Sequence, residues 1–290
     1  MSFDTTTLDF ELGQSPLRAE HERLLRTALR RGPAPEDLDP TIAVESYEPR
    51  ALDAARRVWR QRMVNEHHSA TVFSAMLPQM VACGAALPFK TALLRMAMDE
   101  LRHGALCARV VESLGGEPSV QVSLRTAPLP EHPGCTPLET ALRNAMFVGC
   151  LAETVAVAFT AEERERTEEP FVKAVITQIS ADESLHARFG WAFAREAAPH
   201  LDADAMRRTN GWLRTAFRYL EREEMREVPD VRPPSDALRD EGLRLGVCEN
   251  PATRELFYET VHEAILPGLD ALGFDAHRAW RERHALPSAA

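Results

Sequence analysis

Asp99-Glu100-Leu101-Arg102-His103 and its repeat, Asp182-Glu183-Ser184-Leu185-His186, decide the reading of this chain. Both spell D-E-x-x-H, and both sit inside long helix-forming stretches. A Glu and a His three residues apart on an α-helix are turned by about 300°, so they project from one face. Two such faces, each joined by a Glu from another helix, can enclose a pair of metal ions between packed helices. Glu66 and Glu153 supply those two carboxylates, one upstream of each D-E-x-x-H.

Working outward, a long helical pattern runs from Pro49 to Cys83, with Val58, Trp59, Met63, Glu66, Ala70 and Phe73 at helical spacing. Pro78 near its far end is expected to kink it or end it early. The next pattern spans Pro88 to Leu114 and stops at Gly115-Gly116. A third covers Pro137 to Arg166 behind a Thr136 cap with Glu139 three residues on, and a fourth runs from Pro170 to Pro199. At 1.5 Å per residue each extends about 40 Å. Short joins at Gly84 to Leu87 and Thr167 to Glu169 make two antiparallel hairpins. Glu117 to Thr136, rich in Pro, is long enough to return along the molecule as a crossover. The interval between Glu100 and Glu153 contains that crossover, which explains why it exceeds the two intervals inside the hairpins.

The ends of the chain carry less chemistry. Residues 1–14 read as irregular, a helix is expected over Pro16 to Arg31, and Gly32-Pro33-Ala34-Pro35 stops it. Further helices are expected over Ala203 to Val228, near Asp236, and over Pro251 to Leu269, with a linker at Pro229 to Pro234. This last third can cover the core, shape a substrate entrance or form a homodimer surface. Three units follow: an N-terminal extension over 1–48, a four-helix core over 49–201, and a C-terminal helical extension over 202–290.

A hydrophobic share of 44% with 27% charged residues suits a folded domain, and scarce Tyr with frequent Ala, Leu, Arg and Glu favours helix over sheet. The formal charge of −10, with no strong basic block, argues against a nucleic-acid partner. No run of about 18 consecutive apolar residues suggests a membrane span. Met1-Ser2-Phe3-Asp4 lacks a signal-peptide pattern, and five scattered Cys without a C-x-x-C pair suit a reducing cytoplasm.

The candidate ligands are therefore Glu66, Glu100, His103, Glu153, Glu183 and His186. This oxygen-rich set with two imidazoles suits iron or manganese. Asp99 and Asp182, each just before a ligand Glu, are placed to accept the free ring N–H of a metal-bound His on the neighbouring hairpin. His67 and His68 turn away from the face that carries Glu66.

On the pattern E…DExxH…E…DExxH, residues 49–200 resemble the ferritin-like di-iron carboxylate superfamily, which includes rubrerythrins, ribonucleotide reductase small subunits and bacterial multicomponent monooxygenases. The resemblance implies an all-α, ferritin-like four-helix bundle holding two Fe ions, with Mn or a mixed Mn/Fe pair as alternatives. It also implies that Glu100 and Glu183 bridge the metals, while Glu66 with His103 and Glu153 with His186 complete the two ends. Departures narrow the activity. The chain lacks the Cys pairs of a rubrerythrin-like electron-transfer domain. Cys107 stands one turn after His103, where a radical Tyr is wanted, and the only tyrosines are Tyr47, Tyr219 and Tyr258. The expected activity is that of an oxidoreductase activating O2 to oxidise a small organic substrate, with electrons from an external reductase. The alternative is an iron-handling or peroxide-scavenging protein with no organic substrate. Met63, Phe73, Met96, Cys107, Cys150 and Thr154 are candidate pocket-lining residues.

Overall fold

Proline opens the long helices, where its missing N–H costs nothing and its fixed φ suits the first turn. They are α1 (Pro49–Ala82), α2 (Leu87–Ser113), α3 (Pro137–Ala145) and α5 (Pro170–Ala197), with Pro88 at the start of α2. The computed structural model describes residues 5–9, 39–123, 128–228, 235–247 and 250–285, the first five by backbone alone. The helix expected over Pro16 to Arg31 and the linker at Pro229 to Pro234 lie outside the described residues. Among the described residues the chain is all-α apart from one small strand pair.

The cap expected at Thr136 forms in full: its hydroxyl accepts from Glu139 N at 3.2 Å, and the Glu139 carboxylate accepts from Thr136 N at 3.0 Å. Gly84 and Gly115 end α1 and α2 with φ of 73°, a left-handed value that glycine adopts without a Cβ penalty. Pro78 does not end α1, which continues to Ala82. It removes only the bond to the Ser74 carbonyl, and the turn beyond it is closed by Cys83 N, Gly84 N and Ala85 N, which donate to the carbonyls of Gln79, Val81 and Met80.

Two sequence expectations are corrected. The irregular N-terminus and the irregular crossover each contain a strand, β1 (Thr5–Asp9) and β2 (Ser119–Ser123), paired antiparallel with Thr7 opposite Gln121. The Ser-Val-Gln-Val-Ser alternation buries Val120 and Val122 and leaves Gln121 exposed, a period-two signal too short to stand out among helices. The third long helix is also not regular. Between α3 and α4 (Glu153–Arg166) the residues Met146–Ala152 form a π-helical segment, which ends immediately before Glu153.

α1 packs along α2, α4 along α5, and α2 against α5. The C-terminal helices α6 (Ala203–Glu227), α7 (Asp236–Arg244), α8 (Asn250–Thr260), α9 (Leu266–Ala271) and α10 (Ala276–Arg281) lie on this frame. α7 is tied to it by Trp59 Nε1, which donates to Leu245 O at 3.0 Å, and by Glu169 N, which donates to Arg244 O at 3.1 Å.

Two apolar cores result. One gathers Trp59, Met63, Leu106, Phe171 and Ile179; the other gathers Phe73, Met96, Cys150, Phe189 and Phe217. Along α1, α2 and α5 the order is the same: an apolar residue of one core, then the acidic or His residues, then an apolar residue of the other. The polar layer is thus held between two dry layers. Each buried Phe, Met or Leu stabilises by about 1.5–3 kcal/mol. Among the described residues, one stretch is apolar enough by length and composition to cross a membrane, Pro137–Arg166, with mean hydropathy 1.5. Its most apolar part is 56% buried and the stretch carries the buried Asn144 and Glu153, so its apolarity is that of a core helix.

Candidate metal centre

α1 carries Glu66 into the polar layer, α2 carries Asp99, Glu100 and His103, α4 starts with Glu153, and α5 carries Asp182, Glu183 and His186. The structure brings all six candidate ligands together in two overlapping groups. One is Glu66, Glu100, His103 and Glu183; the other is Glu100, Glu153, Glu183 and His186. Within each group one donor atom per residue lies within 4.8 Å of the others. Glu100 and Glu183 belong to both.

Both imidazoles aim Nδ1 at carboxylates. His103 Nδ1 lies 3.4 Å from Glu66, 3.5 Å from Glu183 and 4.0 Å from Glu100. His186 Nδ1 lies 3.0 Å from Glu100, 3.1 Å from Glu183 and 3.9 Å from Glu153. His103 Nδ1 is fully buried yet makes no hydrogen bond. An orphaned ring nitrogen facing three carboxylates suits a cation that binds all four groups. The cluster is therefore able to hold metal.

The charges lead to the same conclusion. Burial, followed by the nearby Glu183 and Glu66, pushes the Glu100 carboxyl well above its usual range. Burial and Glu183 do the same to Glu153. Glu183 is held well below that range against its burial by His186 and His103. Burial opposes charge on His103, but Asp182, Glu183 and Glu66 raise its pKa well above the ordinary value. Without metal, protons must offset the carboxylates; a bound cation replaces them.

The opposite ring nitrogens meet the two aspartates crosswise between hairpins. His103 Nε2 lies 3.2 Å from Asp182 Oδ2. His186 Nε2 stays 3.8 Å from Asp99 Oδ2, too far for a hydrogen bond. Asp99 is held elsewhere, because Arg95 Nε donates to its two oxygens at 2.7 and 2.8 Å. Arg102, almost fully buried, donates to Asp182 and stands 3.7 Å from Asp99. Gln178 Nε2 donates to Asp182 at 3.1 Å. Arg95, Arg102 and Gln178 escaped the sequence reading. A signal existed for two of them: Arg95 and Gln178 each stand four residues before the Asp of a D-E-x-x-H, on the same helix face.

The helices meet closely at this level. A Cβ on Gly149 would lie 2.5 Å from Gly190 Cα, and one on Gly190 would lie 2.5 Å from Gly149 Cα. Gly149 is one turn before Glu153 and Gly190 one turn after His186, so this backbone contact sets how near those two side chains come.

A cavity of about 610 Å³ adjoins the cluster, with Glu153 in its wall beside Ser69 and Phe73 of α1, Phe147 and Val148 of the π-helical segment, and Trp212 of α6. Of the candidate lining residues only Phe73 borders it. Met63, Met96, Cys107 and Cys150 are fully buried in the two cores, and the Thr154 hydroxyl is engaged by Trp191 Nε1 at 3.0 Å. Burial pushes both Cys107 and Cys150 thiols up, so they behave as small apolar groups. The π-helical segment and the C-terminal helix α6 supply the walls that local spacing around Glu66 and Glu153 cannot reveal.

The site thus defines a helical protein with a buried carboxylate–histidine cluster able to hold metal. No protein-family model matches the chain, and no curated protein matches it.

Proposed function

We propose that this chain is a di-metal oxidoreductase of the ferritin-like di-iron carboxylate type, its four long helices forming the bundle over residues 49–201. The observation that carries the reading is the cavity wall: a small-molecule-sized space ends on Glu153, a member of a cluster with two overlapping ligand groups. A storage site does not need an apolar chamber of that size beside its metals.

Glu66 with His103 would hold one ion and Glu153 with His186 the other, with Glu100 and Glu183 shared between them. Two ferrous ions in such a site supply the electrons and open positions for activating dioxygen; manganese or a mixed pair fits the same donors. The chain's own residues do the rest. Asp182 accepts from Nε2–H of His103, which leaves Nδ1 free to ligate. Arg95 holds Asp99 and Arg102 holds Asp182 by side-chain hydrogen bonds, which fixes where the two carboxylates point. The apolar cores and the cavity walls exclude water from the reacting centre. Electrons for repeated turnover come from an external reductase.

Mixing anaerobic ferrous protein with oxygen, with and without organic candidates, tests this by mass spectrometry and metal analysis. About two ions per chain and an oxidised organic product are expected. Many irons laid down per chain without product would replace the proposal with iron storage.

A further inference from the structure

The cavity beside Glu153 is lined by several polar side chains outside the metal cluster, among them Ser69, Asn144, Thr215 and Tyr219, and His132 stands apart from these by its backbone. His132 lines it from the crossover, and its backbone has φ of 50°, the one non-glycine positive φ among the described residues. That conformation is costly for a residue with a Cβ, and Pro133 further narrows the backbone of the residue before it. Strain of this kind persists where the surroundings hold a side chain for a purpose.

The ring is fixed on two sides. It forms a T-shaped pair with Trp212, with centroids 5.7 Å apart and planes at 87°. Its Nε2 lies 3.0 Å from Asn144 Oδ1. Asn144 is buried and donates from Nδ2 to Pro130 O and to Gln79 Oε1, each at 3.0 Å. A backbone carbonyl only accepts, so the Pro130 contact fixes the amide nitrogen on that side and turns Oδ1 to His132. Nε2 must then carry the hydrogen, and Nδ1 carries a lone pair. No described residue donates to Nδ1. Burial lowers the His132 pKa, with Arg143 acting in the same direction against the Asn144 bond, so the ring is neutral near pH 7. No Lys or Arg stands in the cavity wall, whose surface is mostly apolar.

We propose that the cavity takes an uncharged ring compound bearing one hydroxyl or N–H, and that His132 Nδ1 accepts this donor while the apolar body lies against Phe73, Phe147 and Val148. The volume falls within the range of about 300–1,000 Å³ usual for small-molecule sites. That this ligand is the substrate rests on the oxidoreductase reading above; the selectivity of the cavity does not.

The test uses 2-naphthol and 2-methoxynaphthalene, which share a ring system but differ in the donor. Both are titrated into the full-length protein by tryptophan fluorescence and equilibrium dialysis, as purified and after metal removal. Naphthol is expected to bind about three- to tenfold tighter, the size of one net hydrogen bond. His132→Phe is expected to bring the ratio to about one while methoxynaphthalene affinity stays within about twofold, and His132→Gln to restore part of the preference. 15N NMR of the wild-type imidazole needs no variant: it is expected to show Nε2 protonated and Nδ1 perturbed by naphthol alone. Equal affinities in the wild type, a preference that survives in His132→Phe, or no binding of either probe overturns the proposal. A preference that holds in metal-free protein, in a chain whose metal-loaded form oxidises nothing, refutes the oxidoreductase reading and leaves the His132 assignment standing.

Discussion

Gly190→Ala places a methyl group where the structure has none to spare. The new Cβ would stand 2.5 Å from Gly149 Cα and C and 2.7 Å from Cys150 N. All three are backbone atoms, so no side chain can swing aside, and an ordinary contact near 3.5 Å requires α5 and the π-helical segment to part by about 1 Å. Overpacking of this kind costs about 1–3 kcal/mol, with a backbone neighbour placing it at the upper end. Replacing a mid-helix glycine returns about 1 kcal/mol, which leaves a net loss of about 2 kcal/mol. The displacement acts one turn from His186 and one turn from Glu153, whose Nδ1–Oε2 separation of 3.9 Å would widen. Glu66 and His103, on the α1–α2 hairpin, are not displaced. Urea unfolding should therefore show the loss in stability, and metal analysis should fall from about two ions per chain towards one. Gly211→Ala is the control. Its Cβ meets nothing within 4 Å in α6, so it should stabilise by up to about 1 kcal/mol. If Gly190→Ala matches the wild type within about 0.5 kcal/mol and keeps both ions, the close contact does not set the site.

Glu100→Ala and Glu183→Ala should each abolish loading of both ions, whereas Glu153→Ala should lose one; equal loss in all three, read by plasma mass spectrometry, would contradict the two-group arrangement. Asp182→Asn should weaken metal binding about 10- to 100-fold by competition titration; unchanged affinity would mean that the 3.2 Å contact to His103 does not orient it. Glu139 is held down to about 2, first by its hydrogen bond from Arg208. Its folded pKa is below the unfolded value, so its contribution is complete above about pH 4.5 and is lost as pH falls through about 2. The full displacement is worth about 3 kcal/mol, but Arg208 is 43% exposed, and screening reduces this to about 1–2 kcal/mol. Glu139→Gln keeps the Thr136 cap, and its stability deficit at pH 7 should close as pH falls from about 4.5 towards 2; a constant deficit would refute the ion-pair origin.

What the sequence made legible was periodic. The i, i+3 spacing of Glu and His, the capping box at Thr136 and the glycine stops at Gly84 and Gly115 are local patterns, and each has a local structural consequence. The crosswise approach of Asp182 to His103 was legible too, because both D-E-x-x-H copies carry the Asp at the same helical angle. What escaped was one-residue irregularity and long-range packing. A π-helical segment inserts extra backbone without altering composition, so Met146–Ala152 reads as ordinary helix. Cys107 and Cys150 have helical phases compatible with the site, but phase gives direction from an axis and not what fills the space beyond. Trp212 reaches the cavity only because α6 folds back onto the π-helical segment, and nothing near Glu66 or Glu153 encodes that return. Arg102 carries no repeat signal, since its counterpart in the second copy is Leu185.

The two ends of the cluster are chemically alike but physically different. Glu66 and His103 come from two regular helices joined by a tight turn, and Arg62 ties the same stretch of α1 to Glu163 on α4. Glu153 follows a π-helical segment, whose looser hydrogen bonding allows a side chain to be re-aimed at modest cost. It also forms part of the cavity wall, whereas His186 and Glu100 lie behind it with almost no exposure. If both ions bind as proposed, a ligand entering the cavity meets the Glu153 end first, and a shift of that carboxylate is the motion the backbone best tolerates. The Gly149–Gly190 contact limits such a shift, because α5 cannot approach further. Tolerance in the π-helical segment and rigidity in α5 thus act on one pair of side chains, Glu153 and His186. On this reading, substitutions around Glu153 should alter reactivity towards organic molecules more than substitutions of equal size around Glu66.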